Sequence, residues 1–335
     1  MPARAATVVA TPIRAADFPA AFTFDPAGRI FYAERFSGEI RIYNPATQAD
    51  TLFYDVQNVV GASEQGLLGI ALHPKYPAKP FVYGFYTRGG SPVTNRIFRV
   101  RNSGGTGVEL ANLVTMKAST NHNGGVIHFG PDGFLYAVLG DVTSPAFSQD
   151  KSIRPGKVLR MNTLGRVPPD NPFGYHTWSY GHRNMFGFAF DPANGNLWLS
   201  ENGPGCTDEV NRVVKGANYG WGPSQTCANP QPDGTNKDGP SPQFPQAHYT
   251  PTIAPTGMAF CPACGLGAAV DGTLLMGAWN DDKIRRLTLD AARTSVISQA
   301  DLFTNDSGIL AVERGPDGKV YFSDPAGIHR LDLQP

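Results

Sequence analysis

The chain has 335 residues and carries 28 Lys and Arg against 28 Asp and Glu, so its formal net charge at neutral pH is zero. A balanced charge gives no reason to expect a nucleic acid or an anionic membrane surface as partner, and it favours a small molecule. The 38 Gly, 29 Pro and only 17% charged residues predict many short strands and turns.

The chain opens with MPARAATVVATP, which lacks the apolar core of a signal peptide. The first Met is either native or stands where a leader was removed. No later run approaches the roughly eighteen consecutive apolar residues that a spanning helix needs. We therefore expect a soluble chain without a membrane span.

One phrase recurs along the chain: an apolar strand, a turn of Asp, Pro or Gly, a second apolar strand, and then a strand that carries Arg. Pro and Asp favour the reversal, and Gly accepts positive φ. The phrase occurs six times, with one looser copy, in FTFDPAGRIFYAER, GIALHPKYPAKPFVYGFYT, VIHFGPDGFLYAVLGD, FAFDPANGNLWLSENG, AAVDGTLLMGAW and VERGPDGKVYFSD.

Six copies at irregular spacing predict an all-β fold, a six-bladed β-propeller with four-stranded antiparallel blades. A β-sandwich is the alternative, and the repetition favours the propeller. We expect residues 1–335 to form one domain whose ring is closed by pairing of ATVVATPI with GIHRLDL. Propellers bind ligands where the loops between blades converge, so the long insertions at 142–182 and 204–256 are the places to look for chemistry.

His122 stands before the strand VIHFG, and Asp141 ends the strand FLYAVLGD. If these strands pair through the turn at Pro131, the hairpin brings both side chains to one end of the sheet. A carboxylate beside an imidazole fixes its tautomer and raises its basicity, as a general base requires. The alternative is a surface His that caps a hairpin.

SYGHRNMF places Arg183 and Asn184 at the entry to a strand. Arg183 could anchor a carboxylate or a developing oxyanion, and Asn184 could hydrogen-bond a planar ligand. The alternative is an Arg stacked on aromatic neighbours such as Tyr180 and Phe186.

ENGPGCTDEVN contains a turn at Gly203 and Pro204 whose carbonyls are expected to point outward. Asp208 and Glu209 add hard oxygen atoms, which suit calcium better than a soft metal. The alternative is a tight loop in which both carboxylates are solvated or paired with Arg or Lys.

Four cysteines lie in loops, with Cys206 and Cys227 around one Gly-rich stretch and Cys261 and Cys264 in the sequence CPAC. The even count predicts two local disulfides and an oxidising compartment, hence a periplasmic or secreted protein. Free thiols, or a metal or redox CxxC pair, are the alternatives.

Several phrases resemble, in the same order, the soluble quinoprotein glucose dehydrogenase and aldose sugar dehydrogenase family, which are six-bladed propellers that use pyrroloquinoline quinone (PQQ). The cysteine-containing loops also resemble hedgehog-interacting-protein-like propellers. The matching phrases are EQGLLGIALHPKY, NHNGGVIHFGPDGFLYAVLGD, GKVLRMN, PPDNPF, SYGHRN, ENGPGCTDEVN, GANYGWG and PTIAPTG.

The resemblance implies that a sugar is oxidised at C1 to a lactone, that hydride passes to PQQ, and that an external electron acceptor regenerates the cofactor. It implies the following roles: His122 as the base and Asp141 as its orienting carboxylate, Arg183 and Asn184 on the quinone, Gly203 and Pro204 as main-chain calcium ligands, Thr252 at the cofactor edge, and Glu64 facing the substrate.

The chain departs from the family after residue 257. Where the family holds the PQQ carboxylates with a Lys and an Arg pair, this chain offers Trp279 or Asn280, and then Asn305 and Asp306. Shifted cations could compensate, namely Lys283, Arg285 or Arg286. Two other functions stay open: a propeller that binds a glycan or protein partner without redox chemistry, and a calcium-dependent lactonase.

Overall fold

The structure is a computed structural model that describes residues 6–228 and 234–334. The first five residues, which include the initial Met, lie outside it. The described part of the chain forms 24 strands and one short helix. The strands make six sheets of four, and all the strand pairs are antiparallel. The predicted six-bladed β-propeller is confirmed.

The blades follow one another around the ring in chain order. The first strand, β1 (Thr7–Ala15), belongs to the last blade. Blade 1 contains β2 (Pro19–Phe24), β3 (Ile30–Glu34), β4 (Glu39–Asn44) and β5 (Ala49–Asp55); blade 2 contains β6 (Leu67–Leu72), β7 (Phe81–Arg88), β8 (Thr94–Ser103) and β9 (Thr106–Lys117). Blade 3 contains β10 (Ile127–Phe129), β11 (Leu135–Leu139), β12 (Lys157–Met161) and β13 (Thr177–Tyr180), with helix α1 (Pro145–Gln149) between β11 and β12.

Blade 4 contains β14 (Met185–Phe190), β15 (Leu197–Glu201), β16 (Asp208–Val213) and β17 (Ala247–Tyr249); blade 5 contains β18 (Pro255–Cys261), β19 (Thr273–Ala278), β20 (Lys283–Leu289) and β21 (Val296–Thr304). Blade 6 combines β22 (Ala311–Arg314), β23 (Val320–Asp324) and β24 (Gly327–Gln334) with β1. No helix of the described residues is long and apolar enough to cross a membrane.

The repeated turns form as the sequence predicts. Asp25 accepts the backbone N–H groups of Ala27 and Arg29 at 3.0 and 2.9 Å, and Gly28 takes a φ of +81°. Asp191 accepts the N–H of Ala193 in the equivalent turn of blade 4. In both turns the Asp carboxylate therefore accepts backbone N–H groups that have no backbone acceptor within the turn.

The apolar core is divided among six clusters, and each cluster fills the space between two neighbouring blades. The cluster between blades 6 and 1 contains Phe22, Ile30 and Ile328. The ring is thus continuous in its packing, with blade 3 opposite blade 6.

The first and last strands lie side by side in blade 6, in register from Thr7 opposite Gln334 to Ala15 opposite Gly327. Thr11 Oγ1 also donates to Asp332 at 2.6 Å. Blade 6 therefore consists of the three C-terminal strands, with β1 added as its outermost strand.

Candidate active site

A cavity of about 360 Å³ opens at one end of the propeller axis, and all six blades contribute to its wall. Its wall is formed by Phe18, Ala20, Arg35, Ser63, Glu64, Leu68, Asn121, Gly124, Val126, Phe186, Asn202, Ala254, Thr256, Trp279 and Leu310. Of the two long insertions predicted to hold the chemistry, 204–256 contributes Ala254 and Thr256 to the wall, and 142–182 contributes no residue.

The structure brings His122 and Asp141 together beside this cavity. Strands β10 and β11 pair as predicted, and His122 Nδ1 lies 2.6 Å from Asp141 Oδ1. No described residue hydrogen-bonds Nε2 of His122, whose side chain is 15% exposed. The ring is therefore held through Nδ1, and the neighbouring residues Asn121 and Gly124, but not His122 itself, line the cavity.

Asp141 is completely buried, and its carboxylate is held from three sides. Trp221 Nε1 donates to Oδ2 at 2.8 Å, and the N–H of Thr143 donates to Oδ1 at 2.8 Å. A carboxylate stabilised by these donors remains an acceptor for the imidazole N–H, so it fixes the tautomer of His122.

Glu64, which precedes blade 2, connects residues that precede blades 3 and 4. Its Oε2 accepts the backbone N–H of His122 at 2.5 Å and the side-chain amide of Asn184 at 3.1 Å. Its Oε1 accepts a longer hydrogen bond from the amide of Asn121 at 3.4 Å. Glu64 also lines the cavity, so it can accept further hydrogen bonds from a ligand.

Arg183 and Asn184 lie at the start of β14, as predicted. Arg183 Nη1 donates to the carbonyl oxygen of Asn202 at 2.9 Å, and its guanidinium lies 5.4 Å from the Trp221 ring centroid. Burial lowers the pKa of Arg183. Asn184 Oδ1 is buried and has no hydrogen-bond partner among the described residues.

The turn at Gly203 and Pro204 follows Asn202, and hydrogen bonds to Asp208 tie it to the segment before blade 5. Asp208 accepts three backbone N–H groups, from Gly203 at 2.9 Å and from Ile253 and Ala254 at 2.7 Å each. These bonds occupy its carboxylate in tying the turn to blade 5. The Pro204 oxygen accepts the N–H of Cys206 at 2.6 Å, whereas no described donor reaches the Gly203 oxygen.

Glu209 belongs to a buried polar network rather than to an open metal site. It stands opposite Glu201 in the β15–β16 ladder, and burial together with the charge of Glu201 raises its pKa to about 8. Glu201 in turn accepts from His182 Nδ1 at 2.9 Å. His182 is fully buried and stacks on Tyr219 at 4.5 Å. Sequence reasoning missed this network because its members are brought together only by strand pairing.

Thr252 is half-buried and lies outside the residues that line the cavity. Its neighbours Ala254 and Thr256 form that part of the wall, and Thr256 Oγ1 donates to the Ile309 oxygen at 2.9 Å. The segment PTIAPTG thus reaches the cavity through later residues than the predicted one.

The shifted cations considered for blade 5 are engaged elsewhere. Lys283 pairs with Asp301 at 2.6 Å, Arg285 pairs with Asp281 and contacts Asp301, and Arg286 donates to the Ala269 oxygen. None of the three lines the cavity. They therefore add no charge to the wall of the cavity.

Arg35 is a cavity residue that sequence reasoning missed. Its Nε donates to the Gln65 oxygen at 2.9 Å and its Nη2 to the Ser63 oxygen, so it holds both neighbours of Glu64. A positional signal exists, because the residues that directly follow β3, β15 and β19, namely Arg35, Asn202 and Trp279, all line the cavity.

Both disulfides are present, Cys206 with Cys227 and Cys261 with Cys264. The first closes the loop after the turn at Gly203. The second joins two buried cysteines at the end of β18. Asp271 lies near the second pair, but sulfurs that are bonded to each other are not available as thiolate ligands.

Comparisons with known proteins agree on one family. A family model described as glucose / sorbosone dehydrogenase matches residues 16–328. Quinoprotein glucose dehydrogenase B of Acinetobacter calcoaceticus is 31% identical over 238 residues, which cover 61% of this chain and 50% of that protein. Aldose sugar dehydrogenase YliI of Escherichia coli K12 is 27% identical over 341 residues, which cover 95% of this chain and 90% of that protein. The structure of the PQQ-bound form of aldose sugar dehydrogenase from Streptomyces coelicolor superposes with a TM-score of 0.84, at 28% identity and with 99% of each chain covered.

Proposed function

Because the chain belongs to the glucose / sorbosone dehydrogenase family, we propose that it oxidises the C1 hydroxyl of aldose sugars to a lactone, with PQQ and calcium as cofactors. The observation that carries the proposal is the His122–Asp141 pair beside the axial cavity, with Nε2 of His122 available to a ligand. An external electron acceptor completes the turnover.

Three polar residues at or beside the cavity, Arg35, Arg183 and Asn184, fit a planar quinone that bears negative groups. Asn184 Oδ1 is buried without a partner among the described residues, which suits a ligand at that point. Arg183 and Arg35 carry guanidiniums that form no salt bridge with any described carboxylate. We therefore assign Arg183 and Asn184 to the quinone and give Arg35 the role of a cavity cation.

Calcium prefers oxygen ligands, and the turn next to Asn202 supplies main-chain oxygens close to the cavity. We assign the ion to Gly203 and Pro204, with Gly203 as the stronger ligand because the Pro204 oxygen already accepts N–H donors. Asp208 holds this turn in place through its three backbone hydrogen bonds and is not assigned as a ligand.

PQQ, when bound, accepts the two electrons of the oxidation as a hydride from the sugar C1. His122 Nε2 takes the proton of the C1 hydroxyl, and Asp141 stabilises the imidazolium that results. Trp221 and Thr143 hold the Asp141 carboxylate in its orientation. Glu64 accepts a hydrogen bond from a second sugar hydroxyl and so orients the ring.

In the first step the purified chain is titrated with PQQ in the presence of calcium, and binding is measured from the change in quinone absorbance. Aldoses and a dye acceptor are then added. We expect saturable binding at micromolar PQQ and sugar-dependent dye reduction that a calcium chelator abolishes. Absence of both binding and dye reduction would overturn the proposal.

The base is tested with His122→Ala. We expect turnover to fall by about 10²–10⁴-fold, the usual contribution of a positioned base, while PQQ binds within a few-fold of the original affinity. His248→Ala, at an exposed histidine, is the matched control and should leave both unchanged. A His122→Ala variant with full turnover would exclude the assigned base.

The ion pairs of Lys283 and Arg285 in blade 5 favour a second function, the binding of sugar without oxidation. Because Lys283 and Arg285 pair with Asp301 and Asp281, that side of the cavity offers little attraction to the carboxylates of PQQ. A propeller that binds sugar without oxidising it would then be expected. Sugar binding by a chain that takes up no PQQ would favour this function.

We propose a periplasmic or secreted location. The two disulfides support it, because such bonds persist in oxidising compartments.

A further inference from the structure

A second cavity, of about 540 Å³, lies between blades 2 and 3, and we call it the interblade cavity. Its wall combines the connection between β7 and β8, the end of β9 and the long insertion 142–182, which does not reach the axial cavity. The buried side chains of Met116 and Val142 and the half-buried ring of Phe147 supply its apolar surface. This insertion therefore has a cavity of its own, which shares no lining residue with the axial cavity.

The charged groups of the interblade cavity are all positive among the described residues that line it. Arg154 and Lys117 both line the cavity, and no Asp or Glu does. Neither cation forms an ion pair with a described carboxylate. A concave surface with unopposed positive charge attracts anions.

Arg154 is half-buried without the partners that such a charge requires. Its Nε is buried and has no hydrogen-bond partner among the described residues, and its two Nη atoms, which are not buried, donate to no described acceptor. Burial lowers the pKa of Arg154. By contrast, Arg160 of the same blade pairs with Asp132 and Asp170 at 2.9 Å each. A partly desolvated charge without a partner is unfavourable, so Arg154 is suited to a ligand that supplies the missing anion.

Hydrogen-bond donors reach the interblade cavity from three separate parts of the chain. Arg154 lies between β11 and β12, and Lys117 ends β9 with its Nζ 5.4 Å from the centroid of the Phe147 ring. Ser144 precedes α1, and its hydroxyl makes no capping hydrogen bond to that helix. Donors on three elements suit the tetrahedral oxygens of a phosphate better than the two coplanar oxygens of a carboxylate.

We propose that the interblade cavity is a second ligand site, which binds the phosphate group of an organic phosphate monoester. The phosphate lies at Arg154 and Lys117, and the organic part packs on Phe147. A volume of about 540 Å³ falls within the roughly 300–1,000 Å³ of small-molecule pockets, so the cavity has room for more than an inorganic anion. The site uses neither PQQ nor His122, and it is therefore independent of the proposed dehydrogenase activity.

The first experiment is a calorimetric titration of the full chain, without PQQ or calcium, at constant ionic strength. The probes are phenyl phosphate, inorganic phosphate and phenol. We expect phenyl phosphate to bind saturably with a Kd below about 1 mM, inorganic phosphate to bind more weakly, and phenol not to bind. Absence of saturable phenyl phosphate binding would overturn the site. Equal affinity for inorganic phosphate would overturn the role of the organic part.

Arg154→Gln tests the guanidinium. We expect the affinity for phenyl phosphate to fall about tenfold or more, the effect of losing a charge-assisted hydrogen bond. The melting temperature without ligand should not fall, because the variant removes a partly buried charge that has no described partner. Lys117→Gln, at an exposed residue, should weaken binding a few-fold and keeps the test available if the first variant does not fold.

Arg99→Gln is the matched control. Arg99 is also half-buried, forms no ion pair with a described carboxylate and donates to the Thr163 oxygen at 3.4 Å, but it does not line the interblade cavity. Its replacement should leave the affinity for phenyl phosphate unchanged. A loss of affinity in Arg99→Gln equal to that in Arg154→Gln would show only a general effect of positive charge and would overturn the site.

Arg35→Gln distinguishes the interblade cavity from the axial cavity, where Arg35 is the lining cation. We expect phenyl phosphate to raise the melting temperature of the original chain and of Arg35→Gln alike, and to raise that of Arg154→Gln much less, because a ligand stabilises only the fold that binds it. If Arg35→Gln abolishes binding and Arg154→Gln does not, then the phosphate binds in the axial cavity and the proposal is wrong.

Discussion

Glu64 accepts hydrogen bonds from the backbone of His122 and the side chains of Asn184 and Asn121. An ionised carboxylate is the only common side chain in which two oxygens both accept hydrogen bonds and no atom donates one. Its position therefore makes the backbone of His122 and the side-chain amide of Asn184 depend on one acidic group.

Replacing Glu64 by Gln tests this dependence. In either orientation of the Gln amide, its NH₂ group faces an N–H donor that Glu64 accepts. That buried donor loses its acceptor, which lowers the free energy of unfolding by about 1–3 kcal/mol. We expect kcat/KM to fall about tenfold or more and the melting temperature to decrease. Glu109→Gln, at an exposed residue paired with Arg101, should alter neither the kinetics nor the melting temperature. An E64Q variant with unchanged kinetics would show that Glu64 does not orient the site.

At the residue scale the sequence predicts pairs that one hairpin joins. His122 and Asp141 are accessible to prediction because a single turn brings the ends of β10 and β11 together. The role of Asp208 cannot be predicted in this way, because its partners Ile253 and Ala254 lie more than forty residues away, next to another blade. Arg35 escapes sequence reasoning because its charge has no motif around it, although its place after β3 carries a signal.

At the scale of elements, β10 and β22 are inner strands of opposite blades, and they meet across the axis through His128 and Glu313. Nε2 of His128 lies 3.3 Å from Oε1 of Glu313, with 25% and 22% of the side chains exposed. Burial lowers the pKa of His128 to about 4 and raises that of Glu313 to about 8. Both groups are therefore uncharged in the folded protein over much of the range between these values.

These shifts give a pH dependence of stability whose sign is fixed. The raised pKa of Glu313 contributes stability that is complete below its ordinary value near 4.5 and is lost as the pH rises toward 8. Glu313→Gln removes this loss. We expect its melting temperature, relative to the original chain, to rise between pH 5 and pH 8.5, by an amount equivalent to about 1–2 kcal/mol after allowing for solvent at the pair. A difference that is constant with pH would show that Glu313 is ionised throughout.

Elements with a strong local signal are predictable from the sequence, and those without one are not. The inner hairpins follow from Asp turns between apolar runs, such as FTFDPAGRIFYAER. The outermost strand β17 has three residues inside a long polar insertion, and its assignment depends on pairing with β16. Outer strands gain their structure from the sheet they join, so single-sequence patterns are weakest there.

At the scale of the whole molecule, stability depends on closing the ring. Every blade packs against two neighbours only if blade 6 is complete. The outer strand of that blade is β1. Val8 and Ala10 of β1 also pack against the cluster between blades 5 and 6. Loss of β1 would expose the edge of β24 and part of this cluster together.

Removing residues 1–15 is expected to weaken the entire propeller rather than one blade. The full chain should melt in a single transition, and the shortened chain should melt roughly 10 °C lower or more, because it loses the β1–β24 hydrogen bonds and buried apolar surface. It should also self-associate through the exposed edge of β24. A peptide of residues 6–15 added in trans should restore the melting temperature, whereas a scrambled peptide of the same composition should not. If the shortened chain melts as the full chain does, then the interblade clusters alone hold the ring and β1 is a peripheral strand.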